Sequence, residues 1–334
     1  MKNLKKILPF LLRVCISVVL LAVLFCFKKI NLHDLIYDIK STDKLLLLLA
    51  FAIFFIPYFL GLIRWHMLLK ASKVNIPFNR IATSYAGGVF FSLFLPSSIG
   101  GDVARSIDLA KYSQKPKEIV ATVLLDRLSG YVGLVIVVML TLLAGWQEIS
   151  KDLTVLITIG IIVGILAAVL LVLFNKFLYQ GINKILYLLK SDRIRETLKN
   201  LFYEIHYFRK NKKILFYNIM LSFVIQVAGP VVFYVTALSL GVTGINIIYF
   251  FIFIPIIGAI TLLPISLGGF GVRENTAVIL FAKAGLAGSS AVAIAFLNSI
   301  FILVYGIIGG LIYVLTVRHR RSQHHQTQRV HPQR

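Results

Sequence analysis

Two short segments of this sequence share an unusual combination of residues. Leu95-Pro96-Ser97-Ser98-Ile99-Gly100-Gly101-Asp102-Val103-Ala104-Arg105 recurs without a gap as Leu263-Pro264-Ile265-Ser266-Leu267-Gly268-Gly269-Phe270-Gly271-Val272-Arg273, and each identical residue returns 168 positions later. In that order these residue types can hold an anion. Proline removes a backbone donor and stops an incoming helix. Paired glycines admit backbone conformations closed to other residues and let a ligand approach the main chain. A half-helix that restarts beyond them offers free N–H groups and the positive end of its dipole. Arg105 and Arg273 follow within about one turn, where a guanidinium can grip a phosphate or carboxylate through two hydrogen bonds.

The candidate anion site is therefore Ser97, Ser98, Gly100, Gly101 and Arg105 with Ser266, Gly268, Gly269 and Arg273, and Pro96 and Pro264 mark the helix breaks. Asp102 and Glu274 stand beside the arginines as salt partners or as proton-coupling groups. Asp126 and Arg127, an adjacent pair of opposite charge in an apolar run, either line the same cavity or mark the membrane interface. A simpler account competes with this one: Pro and Gly-Gly also serve close helix packing in membranes, and an Arg can snorkel to an interface. The second, matching copy favours function, because ionisable residues within a membrane are functional candidates by default.

Other polar residues rank lower. Arg64-Trp65-His66 is expected to anchor a span at the interface, and Tyr85, Gln226 and Asn298 to bond between helices or face the cavity. No P-loop, G-x-S-x-G or metal-spaced cluster is present, so no catalytic residue, cofactor or metal is expected. His319, His324, His325 and His331 lack constrained ligand spacing.

The elements that must position these residues follow from the hydrophobic runs. Of 334 residues 58% are hydrophobic and 14% charged, with a mean hydropathy of +0.88, more apolar than the roughly 45–50% of soluble domains. The net charge of +22 is carried between apolar runs, as in a protein facing anionic lipid, and no soluble basic face of the kind nucleic acid requires is seen. Six runs are long enough to cross a bilayer: 8–27, 45–69, 119–144, 153–174, 214–240 and 290–317. Two more, 81–110 and 247–284, are broken by Pro and paired Gly and are expected to be re-entrant helical hairpins. The first run follows Lys2, Lys5 and Lys6 but lacks a small-residue cleavage site, so it is expected to remain as a span. Cys15 and Cys26, about 16 Å apart on one helix, cannot pair with each other.

Lys and Arg concentrate in alternate connections, which places both termini in the cytoplasm and the protein in the cell (inner) membrane. The two hairpins then open to opposite sides, the inverted-repeat plan of many transporters. The fold class is thus all-α integral membrane. A first repeat covers 1–174 with its broken helix at 95–105, and a basic amphipathic cytoplasmic linker covers 175–213. A second repeat covers 214–317 with its broken helix at 263–274, and a structureless basic tail covers 318–334. A short amphipathic segment over 30–40 is expected on the outer face.

The block Leu263 to Glu274, with Leu95 to Asp102 and Asp126-Arg127-Leu128-Ser129-Gly130, resembles the transmembrane domain of lysylphosphatidylglycerol synthases. That family includes the flippase half of the multiple peptide resistance factor and many stand-alone membrane proteins. The likeness spans residues 8–317 and implies lipid translocation or a role in envelope lipid or glycolipid metabolism. The family pattern has Glu where Asp126 stands, a carboxylate with a longer reach. No soluble aminoacyltransferase domain follows, so aminoacyl transfer from tRNA is not expected. Two functions remain open: a flippase-like transporter of an anionic phospholipid or polyprenyl-phosphate-linked lipid, or a non-transporting lipid-binding accessory of an envelope lipid- or glycan-modifying enzyme. The oligomeric state is open.

Overall fold

The computed structural model describes residues 4–26, 32–95, 99–150, 152–174, 212–261 and 265–330, with isolated positions between 175 and 211. These form α1 (Leu4–Cys26), α2 (Leu32–Lys40), α3 (Lys44–Ala71), α4 (Phe78–Phe94), α5 (Ile99–Ser113), α6 (Pro116–Ala144), α7 (Trp146–Ile149), α8 (Leu153–Phe174), α9 (Lys212–Ser239), α10 (Ile247–Thr261), α11 (Val272–Ala282) and α12 (Gly288–Val330). The chain is all-helical across the described residues. Four helices are long and apolar enough to cross a membrane: α3, α6, α9 and the part of α12 up to Val317. Shorter apolar stretches lie in α1, α8 and α10.

Helix starts follow local chemistry. The Asp43 carboxylate accepts from Leu45 N at 2.8 Å and Leu46 N at 3.1 Å, capping α3, and Asp152 does the same for α8 through Thr154 N and Val155 N. Pro116 opens α6, where its missing donor costs nothing. Pro57, Pro230 and Pro255 sit inside α3, α9 and α10, as neighbouring helices allow in a membrane protein.

α4 and α5 form an antiparallel hairpin: Arg80 pairs with Asp108, Ser84 Oγ donates to Arg105 O, and Gly88 faces Gly101. α10 and α11 pack on each other likewise. The halves repeat their packing: α5 lies on α6 as α11 lies on α12, α3 on α6 as α9 on α12, and α4 on α12 as α10 on α6. α3 and α9, the equivalent helices, pack side by side in opposite directions. Asp43 N, at the start of α3, donates to Ser239 O at the end of α9 at 2.8 Å, while Arg64, far along α3, meets Ser222, early in α9.

One apolar cluster gathers α10, α11 and the start of α12 around Phe250, Phe253 and Phe281. A second surrounds Trp65, Leu69 and Ile81 where α3, α4, α5 and α6 meet. The short amphipathic segment is helix α2, which packs on α12 with Leu35 buried. The tail departs from expectation, since α12 continues as a helix to Val330; its 43 residues carry no Gly or Pro after Gly310 to stop it. The amphipathic linker lies almost wholly outside the described residues, as do Pro96, Ser97, Ser98, Leu263 and Pro264.

Candidate functional site

The two motif copies adopt different backbones. In the second, Gly268, Gly269 and Gly271 have φ of 58°, 82° and 82°, the left-handed region favouring glycine, and α11 starts after them at Val272. In the first, the helix restarts earlier, at Ile99, and Gly100 and Gly101 lie inside α5. There they serve close packing: a Cβ on Gly101 would lie 1.9 Å from Ser92 Oγ and 2.1 Å from Gly88 O on α4. The expectation that both pairs precede a new half-helix thus holds for the second copy and not the first. Val103 in place of Gly271 leaves no third glycine in the first copy for a longer turn.

Arg105 lies on the α5 face that meets α3, α4 and α6, and is 5% exposed. Its Nη2 donates to Asp126 Oδ2 at 2.9 Å and pairs with Asp102 Oδ1 at 2.9 Å. The other Asp126 oxygen accepts from Arg64 Nε at 2.7 Å, and Arg64 Nη1 donates to Ser222 Oγ at 2.8 Å. Arg127 pairs with the second oxygen of Asp102. The guanidinium of Arg105 also lies 4.4 Å from the Trp65 ring centre and 5.1 Å from that of Tyr85, a cation–π arrangement in a desolvated setting. Arg64, Arg105 and Arg127 against Asp102 and Asp126 leave one positive charge in excess. A cavity of about 210 Å³ borders this network, lined among others by Tyr85, Ser92, Asp102, Arg105, Asp126 and Arg127.

Arg273, in the first turn of α11, is held differently. Its Nη1 donates to Ser299 Oγ at 2.8 Å on α12, and that hydroxyl donates to Glu274 Oε1 at 2.7 Å. Glu274 Oε2 accepts from Gly271 N at 2.7 Å, so the N-cap amide just before α11 is already claimed by the helix's own capping carboxylate. No carboxylate pairs directly with Arg273 among the described residues. Ser266 in the adjoining turn is buried and its hydroxyl has no hydrogen-bond partner. α1 fastens the turn from behind, with Ser17 Oγ accepting from Leu267 N at 3.0 Å and Leu20 O from Asn275 Nδ2 at 2.8 Å.

The structure therefore gathers Arg105, Asp102, Asp126, Arg127 and Gly101 at one place and Ser266, Gly268, Gly269, Arg273 and Glu274 at another. Arg64 is no interfacial anchor: it is 7% exposed, because Asp126 and Ser222 give a buried guanidinium partners that water would otherwise supply. Its place inside the apolar run 45–69 was the signal that could have marked it. Ser222 and Ser299 carried no such signal, since serine is common in membrane helices. Gln226 donates to Gly130 O at 2.9 Å and Asn298 to Thr236 Oγ1 at 3.3 Å, both between helices. Tyr85 faces the cavity. Outside the bilayer-length helices, Lys283 Nζ donates to Asp152 Oδ2 at 2.6 Å, and this hydrogen bond, with the α8 amides, holds the Asp152 carboxyl below its ordinary value.

Residues 10–310 match the family described as the lysylphosphatidylglycerol synthase TM region. A UPF0104 membrane protein of Pyrococcus horikoshii is 23% identical over 296 residues, covering 81% of this chain and 87% of its own. A UPF0104 membrane protein of Methanothermobacter thermautotrophicus is 24% identical over 278 residues, covering 76% and 80%. With a match across nearly the whole helical bundle, the chain belongs to the lysylphosphatidylglycerol synthase transmembrane-region family.

Proposed function

We propose that this protein is a flippase-like transporter, not an enzyme, that moves the anionic headgroup of a phospholipid or polyprenyl-phosphate-linked lipid between inverted halves. In this reading α1, α3, α6, α8, α9 and α12 are six spans, and α4–α5 and α10–α11 are re-entrant hairpins opening to opposite sides. The basic connections place both termini in the cytoplasm. The observation that carries the proposal is Arg273: a guanidinium beside a glycine-broken helix, joined to one serine hydroxyl and with no directly paired carboxylate among the described residues. A half-buried cation so lightly partnered is suited to a mobile anion, which a lipid phosphate supplies with two oxygens for the guanidinium fork. Ser266 adds an unpartnered buried hydroxyl in the adjoining turn. Arg105 contributes attraction at the cavity it borders, softened by the two aspartates.

The test is translocation of a fluorescent phosphatidylglycerol in proteoliposomes. Arg273→Gln is expected to slow transport tenfold or more, equivalent to about 1.4 kcal/mol of lost stabilisation, with the helical signal unchanged. Arg273→Lys should retain only part of the rate, because a point charge lacks the fork. Wild-type rates in Arg273→Gln would contradict the proposal. Protein that binds this lipid yet never moves it would favour the accessory role beside a lipid- or glycan-modifying enzyme.

A further inference from the structure

The halves meet along two seams that the repeat makes equivalent, and the two are closed by different means. α6 meets α9 at backbone distance. A Cβ on Gly133 would lie 2.7 Å from the Ser222 carbonyl carbon, and Gln226 reaches Gly130 O at 2.9 Å. The counterpart seam is α12 against α3, whose backbones hardly approach one another. It is bridged by rings: Phe51 and Phe54 lie 5.2 and 5.7 Å from Phe301, and Phe55 and Tyr58 lie 5.4 and 4.0 Å from Tyr305.

That difference matters mechanically. Glycine-packed backbones separate only if whole helices move, whereas rings open a passage by changing rotamer. The seam also leads somewhere. Tyr58 lies within electrostatic reach of both Arg273 and Tyr85, and Tyr85 flanks Arg105. Apolar rings along the start of α3 thus give way to tyrosines beside the two arginines. A lipid whose phosphate enters a polar cavity must leave its hydrocarbon chains in an apolar medium, because every methylene drawn into water is unfavourable. The chains therefore need a lateral slot that joins the headgroup site to the bilayer and is lined by apolar side chains.

Resting on the lipid-transport reading above, we propose that the α3–α12 aromatic seam is the lateral portal through which the hydrocarbon chains of the phosphate-bearing lipid pass, while α6–α9 is the seam held shut in this conformation. Tyr58 and Tyr305 form its inner threshold, where the chain meets the headgroup.

Phe51→Cys with Phe301→Cys, in a Cys15→Ser/Cys26→Ser background, places a thiol pair across the portal; Phe54→Cys with Tyr305→Cys is a second pair should the first fail to fold. The proteoliposome rate for fluorescent phosphatidylglycerol is measured within one variant before and after closure with a short bis-methanethiosulfonate linker, then after reduction. The portal predicts a drop of at least tenfold on closure and recovery on reduction. An unchanged rate after complete linking overturns it. If the unlinked protein moves no lipid, transport itself fails, and the portal is read by a phosphatidylglycerol with a diazirine in its acyl chain. Adducts at Tyr58 or Tyr305 that Arg273→Gln diminishes support it. Adducts confined to the outward residues Ile56 and Phe59 overturn it.

Discussion

In the first half the motif arginine is surrounded by charge; in the second it has a serine. Arg105 shares Asp126 with Arg64 and Asp102 with Arg127, so its guanidinium is tied into a network linking α3, α5, α6 and α9. Arg273 touches Ser299, and its neighbour Glu274 caps its own helix. The same letters in the motif are put to different use because the facing helix differs: α6 presents Asp126 to Arg105, whereas α12 presents Ser299 to Arg273. One half holds the bundle together through its arginine, and the other keeps its arginine available.

The largest effect that tests this contrast is on stability. Asp126→Asn leaves Arg64 and Arg105 buried without their shared counter-charge, a loss of roughly 3–5 kcal/mol, whereas Arg273→Gln forfeits one neutral-acceptor bond, about 1–2 kcal/mol or less. Thermal unfolding in detergent should show Asp126→Asn far below wild type and Arg273→Gln close to it. The reverse order would erase the division of roles.

Next come the glycines. Gly101→Ala drives a methyl into the α4 backbone at Gly88, which cannot yield as a side chain could, and overpacking of that kind costs about 1–3 kcal/mol. Gly269→Ala meets nothing closer than 3.4 Å but is forced to φ 82°, a strain of about 1–2 kcal/mol. Asn, which tolerates the left-handed region, should rescue position 269 and not position 101. Equal rescue at both, in the same melting experiment, would show that the two copies are used alike.

The smallest effect lies at the Asp152–Lys283 tie between the start of α8 and the end of α11. Because the folded Asp152 carboxyl titrates below its ordinary value, its contribution is complete above about pH 4 and is lost as pH falls through the lower folded value. A part-exposed pair of this kind contributes about 0.5 kcal/mol. Asp152→Asn should lower the melting temperature slightly at neutral pH and flatten its dependence at acid pH; an unaltered acid limb would leave the tie without consequence.

Much of this architecture was legible in the sequence. The apolar runs and the constant spacing of the motifs located α3, α6, α9 and α12 and the breaks between α4 and α5 and between α10 and α11, because span length and helix-breaking residues are local properties. What was not legible depended on partners distant in sequence. Arg64 read as an anchor until Asp126, 62 residues away, was placed beside it. The in-helix glycines of α5 could not be told from the turn glycines before α11 without knowing that Gly88 lies opposite Gly101. Ser299 gave no sign at all, since its role exists only through Arg273 and Glu274.

The central claim, that Arg273 is the grip for a lipid phosphate, is tested most directly by native mass spectrometry of the protein with phosphatidylglycerol under progressive delipidation. Wild type is expected to retain one anionic lipid after bulk lipid is stripped, Arg273→Gln to lose it, and Lys283→Gln, which removes a cation outside the bilayer-length helices, to keep it. Equal retention by wild type and Arg273→Gln would contradict the account.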